Sequence, residues 1–473
     1  MKMTGLDGDV VDVDLHALNA LSATFPRRVL EPGDARFSAA VRIWNAASSA
    51  TPALVVQPES ADEVRAWIGF ARANRVLLSI KGGGHNIAGT SLAGGGVTLD
   101  MARMRRVDVD TERQLAHVGP GCVLRDVDSA TQEHGLATVL GMVSETGVAG
   151  LALGGGFGYL TRRFGWTVDN LEAVEVVTAD GVVRRAAHDE NEDLFWALRG
   201  GGGNFGIVTR FTFRLHAVGP EITGGLIAWD ADEAADVLSL YREVADAAPR
   251  ELTLALLMRH APPAPFIPER WHAKPVVAVV ACHTGDRTRA DRDLAPLRAL
   301  RKPVADVIRQ RPYVDQQSMF DGSQPPGMHQ DWRSEFLPRL SDELLETFRR
   351  QGAGMRSPMS QLMIFQLGGA LADYDATATS LGNRDAEAFF AAAACWRPGS
   401  PYGEDERAWA RSAWDAIRPH STGGNYVNAQ AADDDEARLR AAYRENFARL
   451  AELKAVYDPD NLFRVNRNIP TAA

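Results

Sequence analysis

The sequence predicts an α+β protein of two domains, and three observations carry that expectation. Three glycine loops, Lys81–Asn86 (KGGGHN), Gly147–Leu160 (GVAGLALGGGFGYL) and Arg199–Gly206 (RGGGGNFG), begin within the first 206 residues, each leaving a strand or a helix. From about Pro220 these loops thin out, and proline-rich connectors alternate with apolar strand candidates. The length, 473 residues, exceeds one ordinary domain.

Taken in order, TPALVVQPES around Val55 reads as a strand, and Ser60 with Glu63 makes an S-x-x-E capping box. Val64, Trp67, Ile68 and Ala71 then share one helical face. RVLLSI returns as a strand and delivers the chain to the first glycines, completing a β-α-β unit. GVTLDM and QLAHVGPG read as strands, and VLRDVDSATQEHG as a helix stopped by Gly135. NLEAVEVVTADGVVRRA is a hairpin turning through Ala179-Asp180-Gly181. DLFWALRGGGGNFGIVTRFTFRL gives a helix, a glycine loop and a strand. Beyond Pro220, KPVVAVVACH and SQLMIFQLGGAL are strand candidates and SDELLETFRRQ a helix, which predicts an antiparallel sheet carrying helices. Asp433–Tyr457 reads as a single amphipathic helix with Leu439, Tyr443, Phe447, Leu450 and Leu453 on one face, ended by Pro459.

Composition excludes several classes. A net charge of −10 and a pI near 5.6 disfavour nucleic acid, and the densest basic group, Arg103, Arg105 and Arg106, is too short to form a patch. Cys122, Cys282 and Cys395 form neither a CxxC pair nor an even framework, so no zinc site or disulfide scaffold is expected. The aspartate-studded N-terminus lacks the apolar core of a signal peptide. The longest apolar run, AFFAAAACW at Ala388–Trp396, is too short to cross a bilayer. The expectation is a cytoplasmic protein with no membrane partner.

Consecutive glycines let a backbone approach a ligand closely, and main-chain N–H groups in such loops cradle phosphates. Three loops in one half of the chain therefore favour a nucleotide cofactor. Gly154 and Gly156 fit the G-x-G-x-x-G dinucleotide pattern poorly, and no Gly-Lys-Ser/Thr occurs. His85, the first side chain after the glycines, reads either as a hydrogen-bonded loop histidine or as a group facing the cofactor. No second histidine or carboxylate stands near it at metal-ligand spacing, so no metal is expected.

Taken together, IKGGGHNIAGTS, VGPG, GLALGGGFGYLTRRFGWTVDNLEAVEVVTADG, DLFWALRGGGGNFGIVTRF, GGNYVN and NFARLAELKAVYDPDNLFRVNRNIP resemble the vanillyl-alcohol oxidase/p-cresol methylhydroxylase superfamily. More narrowly, they resemble its berberine bridge enzyme-like group. The resemblance implies a PCMH-type FAD-binding domain of two α+β subdomains over residues 1–218 and a substrate domain of antiparallel sheet covered by helices over 219–420. Residues 421–473 are implied to return to the FAD domain. It further implies FAD bound through one covalent link, from a ring nitrogen of His85 to the flavin 8α-carbon, with Gly82, Gly83 and Gly84 against the diphosphate. Carried over residue by residue, the other cofactor positions are Lys81, Asn86, Gly89, Thr90, Thr146, Gly147, Gly150, Gly154, Gly155, Gly156, Gly158, Asp169, Asn170, Val176, Gly206, Ile207, Val208, Tyr426, Asn428 and Asn466.

The departures from the family pattern matter as much. Many members carry a second link through a cysteine, but in GMVSETGVAG that place is Val143, so no 6-S-cysteinyl bond is expected. Cys122 reads as a buried small apolar residue. Thr146 stands at a position linked with oxygen access, where relatives usually have an aliphatic side chain. Phe157 and Ala429 occupy the places of a tyrosine pair used as base. Tyr426 survives, and on a strand it and Ala429 would face opposite ways. Other relatives use a carboxylate four residues after a Gly-Gly pair, which here is Asp373 in QLGGALADYD; burial would have to raise its pKa. Gln366, Gln361 and Tyr313 are candidates for orienting substrate.

The function this resemblance implies is removal of a hydride from a C–H next to a hydroxyl or amine of a small organic molecule. Asp373, Tyr426 and Gln366 are the expected catalytic residues, and O2 reoxidises the flavin to give hydrogen peroxide. The alternatives are a dehydrogenase with a non-oxygen acceptor, or a catalytically decayed flavoprotein with a binding role.

Overall fold

The computed structural model describes residues 1–323 and 325–471. Near the N-terminus, a four-stranded sheet runs in the order Val29–Leu30, Leu54–Val56, Val97–Asp100, Leu78–Lys81, its last three strands parallel. Helix Ala61–Ala73 is the crossover of the predicted β-α-β unit, with Val97–Asp100 lying between the two strands it joins. Val64, Trp67, Ile68 and Ala71 are all fully buried, against Leu54, Val56, Leu78 and Leu99. Ser60 caps the helix, its Oγ accepting from Glu63 N at 3.2 Å, a contact worth about 1 kcal/mol. Glu63 does not close the box: its carboxylate takes Glu59 N and Arg28 instead.

A second sheet of five antiparallel strands follows, in the order Val183–Ala187, Leu171–Val177, Ile207–Arg214, Leu115–Val118, Val107–Asp110. Its first pair is the predicted hairpin. Residues 221–396 supply an antiparallel sheet of eight strands, with Glu221–Asp230, Pro275–His283, Leu252–His260, Gln361–Gln366, Ala388–Trp396 and His329–Leu337 adjacent in that order. One face packs on helices Ala234–Ala247, Asp342–Gly352 and Gly403–Ile417 through Leu254, Leu256, Ile364 and Phe390. The opposite face, carrying Ala255, Leu257, Met363, Phe365 and Phe389, packs on Phe157 and Trp166 of the N-terminal part. Burial on both faces explains why AFFAAAACW shows no alternation although it is a central strand.

The expected helix Asp433–Tyr457 is two helices, Glu436–Tyr443 and Asn446–Tyr457, parted at Arg444 with φ 50°. Asn446 is buried and its amide donates to the carbonyls of Ala376, Thr379 and Leu381, which fixes where the second helix starts. The five apolar residues predicted for one face still share one core. Past that helix the chain is tied back to the N-terminal part. Lys454 Nζ donates to Asn204 O at 2.9 Å and to Asp458 at 2.6 Å, and Ile469 N donates to Asn204 Oδ1 at 3.0 Å. Among the described residues no helix is long and apolar enough to cross a membrane.

Candidate functional site

Between the N-terminal part and the inner face of the eight-stranded sheet lies a cavity of ≈ 390 Å³. Gly82–Asn86, segments within 141–153, Gly202–Val208, Tyr426–Ala429 and Val465–Arg467 form its walls on one side. Ala255, Leu257, Gln361, Met363 and Phe389 of the sheet, with Phe157, Phe320, Ser323 and Trp332, form the other. Two loops meet here back to back. A Cβ on Gly83 would stand 2.4 Å from Gly147 N, and one on Gly147 would stand 2.3 Å from Gly83 N. Gly84 has φ +69°, a conformation that L side chains rarely adopt. This contact brings the run Gly82–Gly84 against the backbone of Gly147 along one wall. At the same wall, Asn466 Oδ1 is buried without a hydrogen-bond partner among the described residues, an acceptor left for a bound group. A bare backbone cradle joined to an orphaned acceptor suits a long polar cofactor.

His85 follows the cradle and stacks on Trp44, with ring centroids 5.4 Å apart and planes 13° from parallel. Burial lowers its pKa to about 4, so the imidazole is neutral at physiological pH and keeps a lone pair on one ring nitrogen. Val143 lines the cavity, whereas Cys122 is buried apart from it, with its thiol pushed up to about 12 by burial.

Among the predicted cofactor residues, Gly82, Gly83, Gly84, His85, Asn86, Thr90, Thr146, Gly147, Gly150, Gly206, Ile207, Val208, Tyr426, Asn428 and Asn466 line the cavity. Others stand behind the wall. Lys81 Nζ donates to Ala40 O at 2.8 Å and lies 3.5 Å from Asp100. Gly89 and Gly158 are packed where a Cβ would strike Ser48 and Leu140 O respectively. Gly154, Gly155 and Gly156 support Asn428, Leu381 and Tyr426. Val176 is a core residue against Gly206. Asp169 forms a buried bidentate pair with Arg384 at 2.7 and 3.1 Å, and Asn170 bonds His216 at 2.6 Å.

The expected catalytic residues are placed differently. Asp373 requires a correction: it lies on the surface in a bidentate pair with Arg250 at 2.6 and 2.8 Å, away from the cavity. The guanidinium holds its carboxyl below the usual range, opposite to what a base beside a flavin requires. Gln366 is likewise corrected, because it faces the helices, donating to Ala245 O at 2.7 Å and accepting from Leu254 N at 3.1 Å. Tyr313 is buried off the cavity, while Gln361 lines it. Tyr426 and Ala429 do not alternate as on a strand: Val427–Ala429 is a 3₁₀ turn, and both residues line the cavity. The Tyr426 hydroxyl accepts from Gly156 N at 3.1 Å and Asn428 Nδ2 at 2.9 Å, and burial pushes its pKa up to about 12, so it is a protonated phenol at neutral pH. Among the described residues no Asp, Glu or Lys lines the cavity. Sequence reasoning missed Trp44, Phe320, Ser323, Trp332, Met363 and Phe389. For Met363 the available signal was its alternation with Gln361 on one strand.

A backbone cradle for a nucleotide, an imidazole at its edge and a separate apolar sheet facing it define a flavin-dependent oxidoreductase. Comparison with known proteins agrees. The family described as "FAD binding domain" matches residues 52–187, and the family described as "Berberine and berberine like" matches residues 425–470. (R)-6-hydroxynicotine oxidase of Paenarthrobacter nicotinovorans is 31% identical over 453 residues, which is 93% of this chain and 96% of that protein. The crystal structure of 6-hydroxy-D-nicotine oxidase from Arthrobacter nicotinovorans superposes with a TM-score of 0.82 at 28% identity, covering 93% of this chain and 97% of that one. Xylooligosaccharide oxidase from Myceliophthora thermophila shares the fold, with a TM-score of 0.85 at 24% identity over 97% of this chain and 100% of that one. The chain belongs to the berberine bridge enzyme-like FAD-linked oxidoreductases of the vanillyl-alcohol oxidase/p-cresol methylhydroxylase superfamily.

Proposed function

We propose that this FAD-linked oxidoreductase is an oxidase of a small, largely apolar amine, taking a hydride from the C–H beside nitrogen. His85 carries the flavin through its only covalent link, and no cysteine adds a second. Bound FAD supplies the hydride acceptor and returns the electrons to O2 as hydrogen peroxide. The protein's part is to exclude water, orient the substrate over an apolar sheet and hold a neutral imidazole in place. Residues 1–218 and 421–473 act together in holding the cofactor, and 219–420 present the substrate face.

The observation that carries the choice of an amine is the missing base. Loss of a hydride from an alcohol leaves an O–H proton that a base must take. A neutral amine expels hydride with its own lone pair and needs no protein base at that step. Among the described residues the cavity wall offers no carboxylate or lysine, its phenol Tyr426 is held protonated, and its imidazole, His85, is assigned to the flavin and, with a pKa lowered to about 4, is a weak base. That the relative at 31% identity is named as a nicotine-derivative oxidase supports the same reading. Thr146 on the cavity wall, where relatives usually carry an aliphatic residue, favours a second reading: a dehydrogenase that passes electrons to an acceptor other than O2.

The test is anaerobic mixing of the yellow protein with a panel of heteroaromatic and benzylic amines and their matched alcohols. Amines should bleach the flavin and alcohols should not, and admitting air should restore the colour with peroxide. Equal bleaching by alcohols would remove the amine assignment. Bleaching that air does not reverse would select the dehydrogenase.

A further inference from the structure

Arg259 lies at the edge of the apolar floor, just behind the cavity-lining residues Ser323 and Gln361. Strand Leu252–His260 turns Ala255, Leu257 and Arg259 to one face, because alternate residues share a face, and the first two line the cavity. Three rows cross the sheet beneath the cavity. Ala255 is in register with Phe365 and Phe389, and Leu257 with Met363 and Ala391. Arg259 is in register with Gln361, then Ala393, then Trp332. The floor is thus apolar for two rows and becomes cationic and polar in the third.

Arg259 is only 8% exposed. Its Nη1 donates to Ser323 Oγ at 2.8 Å and to Gln361 Oε1 at 3.3 Å, both side chains of the cavity wall, and its Nε donates to His260 O at 3.2 Å. All three acceptors are neutral. Among the described residues no carboxylate lies within 4 Å of the guanidinium, and Nη2 has no hydrogen-bond partner. Two other buried arginines are compensated differently: Arg384 has its charge matched by Asp169, and Arg162 gives each of its three nitrogens to a backbone carbonyl. Burial lowers the pKa of Arg259 to about 10, still well above neutrality, so the charge is present. A buried cation with no counter-charge is costly, and an anionic ligand that reached the open Nη2 would offset that cost.

We propose that Arg259, flanked by Ser323 and Gln361, receives an acidic oxygen of the substrate, a carboxylate or phenolate carried on an apolar body. This rests on the reading that the sheet side of the cavity takes the substrate, and it narrows the substrate class to amines bearing such a group away from the oxidised carbon. The guanidinium fork matches a carboxylate or an aryl oxide, and the two apolar rows beside it accommodate the body.

Calorimetry on the flavin-loaded protein tests this without turnover. The paired probes are benzoate against benzamide, and 4-nitrophenolate against 4-nitroanisole; together they tell a carboxylate site from a phenolate site. The wild type should bind at least one anion about tenfold or more tighter than its neutral partner, as a charge-assisted hydrogen bond requires. Arg259→Met should abolish the preference while leaving the neutral probe unchanged, and Arg259→Lys should restore part of it. Absence of any anion preference in the wild type, or its persistence in Arg259→Met, would overturn the proposal. If Arg259→Met does not fold, the wild-type pairs and Ser323→Ala, expected to weaken the anion alone, decide it. A colourless protein with an Arg259-dependent preference would sink the oxidase reading and leave the anion site standing. An active yellow protein indifferent to charge would do the reverse.

Discussion

Tyr426→Phe removes one oxygen from the cavity wall and asks whether that oxygen acts on a proton or only holds a loop. The ring keeps its neighbours, Phe157 at 5.0 Å, Phe389 at 6.0 Å and Trp166 at 6.1 Å between centroids. Two donors lose their acceptor. Asn428 retains a bond to Leu151 O at 3.2 Å, but the Gly156 N–H is left unpaired in a buried loop. An orphaned buried donor costs roughly 1–3 kcal/mol, so urea unfolding should show a destabilisation of that size. Catalysis should hardly change. With its pKa at about 12 the phenol does not ionise in the working range, and the variant should lose less than about tenfold in kcat/KM with the same pH profile. Removing a true general base costs about 100- to 10,000-fold. A loss of that order, together with disappearance of a basic limb in the profile, would refute the reasoning.

Other perturbations separate site from scaffold. Asp373→Asn should leave turnover and flavin content unchanged, because the carboxylate only pairs with Arg250 at the surface; a large loss of kcat would return it to the active site. Asp128 is buried with Oδ1 unpaired, and burial raises its pKa to about 7. The folded chain therefore binds this proton over a range where the unfolded chain has released it. Stability should fall by about 1.4 kcal/mol per unit as pH rises from about 4 to about 7, and Asp128→Asn should flatten that slope in unfolding measured across the window. Identical slopes in both proteins would contradict the assignment. Gly83→Ala places a methyl against the backbone of Gly147, where nothing can swing aside, so it should cost about 1–3 kcal/mol and lower the flavin content of the purified protein; full occupancy would show that the two loops are not a rigid cradle.

What was legible in the sequence follows the range of the forces involved. Helix Ala61–Ala73 was plain because Ser60 caps it and four apolar residues repeat at helical spacing, all local facts. The glycine loops were legible because a backbone free of side chains is itself a local property. Asp373 was misread because its partner, Arg250, is 123 residues away, and no spacing rule reports that an ion pair holds a carboxylate on the surface. Strand Ala388–Trp396 passed as a mere apolar run because it is buried on both faces, which erases alternation. The break at Arg444 depends on carbonyls of 376–381 that capture Asn446. Tyr426 and Ala429 share a wall because a 3₁₀ turn replaces the assumed strand. Trp44, Trp332 and Arg259 gain meaning only from the register of distant strands and loops around one cavity.

The central claim is one bond between His85 and FAD, and intact-mass measurement of the denatured, purified protein tests it most directly. The chain should carry a single adduct of FAD mass whose yellow fluorescence stays with the polypeptide, and His85→Ala should run as bare chain with any flavin released. Bare polypeptide in the wild type after full reconstitution, or an adduct that survives His85→Ala, would contradict it.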